Sequence, residues 1–224
     1  MGKGIGEVLT FAVGVAISPV PIIAVTLMLF SRRARVNGPL FLLGWVLALA
    51  VVCTIVYLVA DQGGAATSST ASDSIAWGKI VLGVLLLLLA LRNWRKRPAP
   101  GAEPEMPKWM AGIDALAPGK ALGLGFLLAG VNPKNLILTA GAATGVAQLG
   151  LSTADVIVSL AVFVVLGSLT IAGPVVYYLL GGESAKTRLD ALRVWLAAHN
   201  DAVMAVLFLV FGVNLIAKGI PPLT

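Results

Sequence analysis

Gly130-Val131-Asn132-Pro133-Lys134-Asn135 interrupts an apolar run that covers residues 119–145. The proline ends or kinks a helix, and it leads a lysine flanked by asparagines. If the run spans a membrane, charging Lys134 at the bilayer centre costs about 3 kcal/mol or more. Such a break calls for a compensating partner. A second break, Ile17-Ser18-Pro19-Val20-Pro21, interrupts the first apolar run in the same way. Aligning Pro19 with Pro133 sets an offset of 114 residues, at which Ala16-Ile17-Ser18-Pro19 falls on Gly130-Val131-Asn132-Pro133 and Ile22-Ile23 on Leu136-Ile137. The chain reads as two halves built around these breaks.

Composition sets the class. The 224 residues are 58% hydrophobic and 12% charged, with a mean hydropathy of +0.97. A soluble domain carries roughly 25% charged residues, so this chain is expected to be a polytopic membrane protein. The net charge of +6 then reports topology rather than nucleic-acid binding. The lone Cys53 allows no intrachain disulfide. One histidine, His199, and few acids give no metal cluster and no cofactor site. The first apolar run has no small-residue cleavage site behind it and is expected to be a retained span rather than a signal peptide.

Six spans are expected, in the order residues 4–30, 40–60, 75–91, 119–145, 153–180 and 202–217. Residues 1–97 form the first three-helix repeat and 119–224 the second. A Pro-rich linker of mixed charge, residues 98–118, joins them, with Trp109 and Met110 on the membrane surface. Asn37-Gly38-Pro39 is a loop signal, and residues 61–74, rich in Gly, Ser, Thr and Ala, read as a flexible loop. Residues 181–200, with Leu189, Leu192, Val194 and Leu196 at helical spacing, read as a short interfacial helix. Gly173-Pro174 reads as a kink. Three loops on one side then carry twelve Lys and Arg, against three on the other. By the positive-inside rule the basic loops are cytoplasmic and both termini outside. Three spans per half make the second half start on the opposite side from the first. The fold class is therefore an all-α membrane protein, six transmembrane helices in an inverted 3+3 repeat, with the first and fourth helices broken.

Ser18-Pro19 and Asn132-Pro133 each read as a helix N-cap followed by the first helical residue. Each would start a half-helix near the midplane, with partial positive charge and free N–H donors at its end. Lys134 adds a full charge, and Asn135 a further polar group. The candidate substrate site is Ser18, Pro19, Pro21, Asn132, Pro133, Lys134 and Asn135, suited to a carboxylate, sulfate or phosphate. Plainer readings stand beside it. Pro21 and Pro174 can be kinks alone, Ser18 a local cap, and Lys134 a structural lysine bonded to carbonyls that the break frees. Glu7 is a candidate proton carrier near the outer surface. Asn214 reads as helix–helix glue. No catalytic group is expected, since Ser18 has no titratable partner nearby in sequence.

At these motifs the chain resembles the LysE superfamily of exporters, whose RhtB-type amino-acid exporters carry Pro-Gly-Pro in the first span and Asn-Pro-Lys in the fourth. Here the counterparts are Pro19-Val20-Pro21 and Asn132-Pro133-Lys134, with Val20 in place of the glycine. It is more similar to the GAP, or Sap (sulfolipid-1-addressing protein), family. That resemblance rests on Ile17-Ser18-Pro19-Val20-Pro21-Ile22, on Arg33-Ala34-Arg35-Val36-Asn37-Gly38-Pro39 with Leu42-Leu43-Gly44-Trp45, and on Asn132-Pro133-Lys134-Asn135-Leu136. It implies a plasma-membrane protein of six spans that moves a polar- or acidic-headed envelope lipid, of glycopeptidolipid or sulfolipid type, toward the surface. The alternatives are an exporter of amino acids or other small anionic metabolites, and a non-transporting scaffold for a lipid exporter. Expected partners are the envelope lipid or small anionic substrate and the membrane lipids. A larger lipid-export machinery and a second copy of the chain are the protein partners open to it.

Overall fold

The computed structural model describes residues 2–63, 69–97, 112–113 and 116–220. Eight α-helices account for nearly all of them: α1 (Gly2–Ala16), α2 (Pro19–Phe30), α3 (Ala34–Gly63), α4 (Ser69–Lys96), α5 (Pro118–Gly130), α6 (Pro133–Ala147), α7 (Thr153–Gly181) and α8 (Glu183–Gly219). Four of these, α3, α4, α7 and α8, contain stretches long and apolar enough to cross a membrane. Two bent pairs pass the same test together: α1 with α2, turned by 56°, and α5 with α6, turned by 63°. The described residues are all-helical, with four to six elements long and apolar enough to cross a membrane. Both bends fall at the breaks at Pro19 and Pro133.

The helices gather into two compact units, one of Met1–Gln62 with Glu105–Ala197 and one of Gly63–Pro104 with Ala198–Thr224. In the first, α1 is the central element. Its Phe11 ring packs where a side chain on Gly141 of α6 would stand, and Glu7 does the same at Gly145. Its Val15 meets Gly167 of α7, and Ser159 of α7 fills the space beside Gly4. Helix α3 crosses α5 still more closely. A methyl group on Gly44 would overlap the Leu122 carbonyl, and one on Gly125 the Phe41 carbonyl. The obstacles are backbone, so neither contact can relax by a rotamer change. Between membrane helices, packing contacts replace the hydrophobic drive, and small residues permit them. Trp45, fully buried, adds a 3.3 Å hydrogen bond from Nε1 to the Gly167 carbonyl.

The second unit repeats the device. Gly83 of α4 and Gly212 of α8 each face the other's backbone carbonyl, and Gly219 lies against the carbonyl of Ala76. Val81 and Leu88 of α4, and Val206, Leu209, Val210 and Val213 of α8, remain exposed.

Three local expectations are corrected. Asn37-Gly38-Pro39 lies inside α3. Proline in the second turn removes one hydrogen bond and does not stop the helix here. Gly38 leaves room for Leu29 of α2, and the Asn37 amide donates to the Leu116 carbonyl at 2.9 Å. The loop over 61–74 shrinks, because α3 runs to Gly63 and α4 starts at Ser69. The interfacial helix and the sixth span are one helix, Glu183–Gly219. No Gly or Pro occurs from Glu183 to Phe211, and the pairs Lys186–Glu183 at 2.9 Å and Arg193–Asp190 at 2.6 Å support its first turns. At about 1.5 Å per residue its 37 residues reach about 55 Å, well beyond a hydrocarbon core of about 30 Å. Pro174 lies inside α7, as a proline that kinks a helix without ending it would. Trp109, Met110 and most of the 98–118 linker lie outside the described residues.

Candidate functional site

A helix that ends inside an apolar layer leaves its last carbonyls without partners, and each must be met by protein. Around the first break every such carbonyl of α1 is met. Val13 O accepts from the Ile17 amide at 3.0 Å, and Ala16 O from the Ser18 amide at 2.9 Å. Thr170 of α7 also donates its hydroxyl to Ala16 O. Val15 O accepts from Ser18 Oγ at 2.6 Å. Gly14 O and Ile17 O remain, and Lys134 Nζ donates to both, at 2.9 and 2.8 Å. Its third bond goes to Ser18 Oγ at 2.7 Å.

The second break explains how Lys134 gets there. Asn132 is extended (φ −64°, ψ 119°), and its side chain accepts from the Lys134 amide at 3.0 Å, which is the expected N-cap. Pro133 is the first helical residue of α6, so the lysine leaves the helix at its second position, toward α1. Asn135 turns the other way. Its amide donates to Leu128 O near the end of α5, at 3.2 Å, and its Oδ1 lies 3.4 Å from Ser18 Oγ. The Ser18 hydroxyl has one proton, and the 2.6 Å bond to Val15 O is the better use of it.

Ser18, Lys134 and Asn135 are 2%, 4% and 0% exposed, so the centre of the site is closed in this conformation. Pro19 and Pro21 are buried in α2, Asn132 is half-buried, and Pro133 is exposed. The breaks therefore meet, at Ser18, Lys134 and Asn135, while Pro133 faces outward.

One expectation fails on contact with this geometry. Ser18 makes no side-chain cap on α2. An N-cap oxygen bonds the amide two or three residues on. Pro21 at the third position has no N–H, and Pro19 has none either. Of the first-turn donors only Val20 remains, so α2 presents a much poorer anion site than a helix start without prolines. The Ser18 oxygen serves Lys134 instead. Four participants lay outside the sequence expectation: the carbonyls of Gly14, Ile17 and Leu128, and Thr170. Counting acceptors at the C-terminal ends of the broken helices, as well as donors at the starts, would have pointed to the carbonyls. Thr170 had no signal of its own.

Chemically, the ammonium uses all three of its donors on uncharged oxygens. A cation is also favoured at a helix C-terminus, where α1 carries about half a negative charge. The positive charge is solvated by the fold but not neutralised by these contacts.

A family model described as "Sap, sulfolipid-1-addressing protein" matches residues 8–221. No curated protein and no solved structure gives a match.

Proposed function

The chain belongs to the Sap, sulfolipid-1-addressing protein, family, and on that premise we propose that it exports a polar- or acidic-headed envelope lipid. The lipid is of glycopeptidolipid or sulfolipid type, and it crosses or leaves the plasma membrane. The observation that carries this reading is the buried ammonium of Lys134, held at 4% exposure between two broken helices. An acidic headgroup is the natural complement of a charge that has only neutral partners. The present bonds are already made by a charged donor; an anionic headgroup adds a charge–charge attraction that neutral oxygens lack, so it competes for Lys134. Once Lys134 turns to the headgroup, the polar link between the two breaks is lost and they can part. Ser18, Asn132 and Asn135 then line the opened site, with Pro19, Pro21 and Pro133 setting its backbone.

The architecture that would use such a link is an inverted 3+3 repeat, residues 1–97 and 119–224 about the linker, rocking around a fixed midplane site. The pairing of Ser18-Pro19 with Asn132-Pro133, and the bends of 56° and 63° at the two breaks, support it. The twelve-to-three split of Lys and Arg supports both termini outside. In a background lacking Cys53, a cysteine within residues 64–68 should react with an impermeant thiol reagent on intact cells, and one within 100–103 should not. The opposite labelling pattern rules out this orientation.

The non-transporting scaffold remains the second reading, and one observation favours it: every donor of Lys134 is satisfied internally. The lipid profile of the outer envelope tests the function. Cells without the protein should lose one acidic or polar-headed lipid from the surface and accumulate it inside. An unchanged surface profile removes the export reading.

A further inference from the structure

The acceptors around Lys134 Nζ form a site in their own right. Gly14 O, Ile17 O and Ser18 Oγ converge on one point at 2.9, 2.8 and 2.7 Å. They belong to the first break, while the cation they hold is tethered to the second, 116 to 120 residues away. The offset that pairs the breaks places Val20 opposite Lys134, so the cation has no counterpart in the first half. The cradle is built by the backbone of α1 and one hydroxyl, and the lysine is its occupant.

We propose that the break in the first span is a monovalent-cation site, filled in this conformation by the protein's own ammonium. Unwound carbonyls and a helix C-terminal end are the groups with which membrane proteins bind small cations, and rings of carbonyls replace the hydration shell of potassium. The site is closed to bulk water, with Ser18 and Lys134 at 2% and 4% exposure. Its spacing suits a cation of ammonium size. If the tether leaves, Gly14 O, Ile17 O and Ser18 Oγ are stranded in an apolar layer; a water has two donors for these three acceptors, whereas a free cation meets all of them. The existence of the cradle does not depend on lipid export. Its part in a transport cycle does, because only the export reading requires Lys134 to leave: anion binding would then draw a cation from solution into the vacated cradle.

The test reads the cradle without reading transport. In Lys134→Ala the tether is gone and the three acceptors remain. Thermal unfolding of the purified variant is followed in methylammonium, ammonium, potassium, sodium or choline chloride at equal ionic strength. A cation at tenfold excess over its Kd should raise the midpoint by about 3–5 °C, saturably. Methylammonium, which fits the missing side-chain end, should do so most strongly. Choline, which has no N–H donor and is too large, sets the baseline. Rescue by methylammonium and ammonium alone assigns the site to hydrogen-bonding amines, and rescue by potassium or sodium as well extends it to alkali ions. The wild-type chain, with its cradle filled, should show no difference among the salts. Adding Ser18→Ala to the variant should weaken the rescue several-fold. If the alanine variant does not fold in choline, Lys134→Val, which also vacates the cradle and keeps more of the apolar packing, carries the same comparison. Equal midpoints in all five salts overturn the proposal. Lipid export can fail independently of either result.

Discussion

Lys134→Met should lower stability by about 2–4 kcal/mol and abolish lipid export per folded molecule. The stability figure follows from what the ammonium satisfies. Methionine keeps most of the stem but has no donor, so Gly14 O and Ile17 O lose their partners. A buried acceptor left unpaired costs about 1–3 kcal/mol, and two are lost. Against that stands the relief of no longer burying a charge. The relief is incomplete because α1 was folded around the cation. From the sequence alone, a substrate-binding lysine predicts that methionine folds as well or better. The three bonds change that expectation: Lys134 holds the breaks together whatever else it does. Stability therefore cannot separate export from scaffold, and export normalised to folded protein must do so. Lys134→Arg keeps the charge, but its planar fork cannot aim three bonds from one nitrogen. Partial export is expected from it. Chemical-denaturation midpoints in detergent and surface lipid per folded molecule are the two readouts. Full export by the methionine variant leaves the scaffold reading ahead.

The breaks were legible because proline, asparagine and lysine are each expensive in an apolar run, and they stand together. The Asn132 cap was legible from its place before Pro133, since capping is local. Ser18 was misread through the same local rule. Pro21 removes one of the two amides that Ser18 could have capped and leaves only Val20, and that was visible in the sequence. The partners of Lys134 were legible in kind, as carbonyls freed by a break, but not in identity, because those of Gly14 and Ile17 belong to the other break, 120 and 117 residues away. In α3, a loop triplet was absorbed by a helix that gains from Gly38 and Asn37 in tertiary contacts. In α8, the helical spacing of Leu189, Leu192, Val194 and Leu196 suggested a separate interfacial helix, while the lack of any helix breaker between Glu183 and Phe211 made one. The close crossing of α3 and α5 at Gly44 and Gly125 was not legible, because no local pattern connects two glycines so far apart in the chain.

The central claim is that the two breaks meet at Lys134 and must part for export. Ser18 Oγ and Asn135 Oδ1 lie 3.4 Å apart, so Ser18→Cys with Asn135→Cys, in a chain lacking Cys53, places one thiol on each break at the junction. Both positions are buried from solvent, so the thiols are joined directly as a disulfide with a membrane-permeant oxidant. The measurement is surface lipid export before joining, after it, and after reduction. Joining should stop export, and reductant should restore it to the level of the unjoined variant. Export that continues at that level while the breaks are held together would contradict the claim.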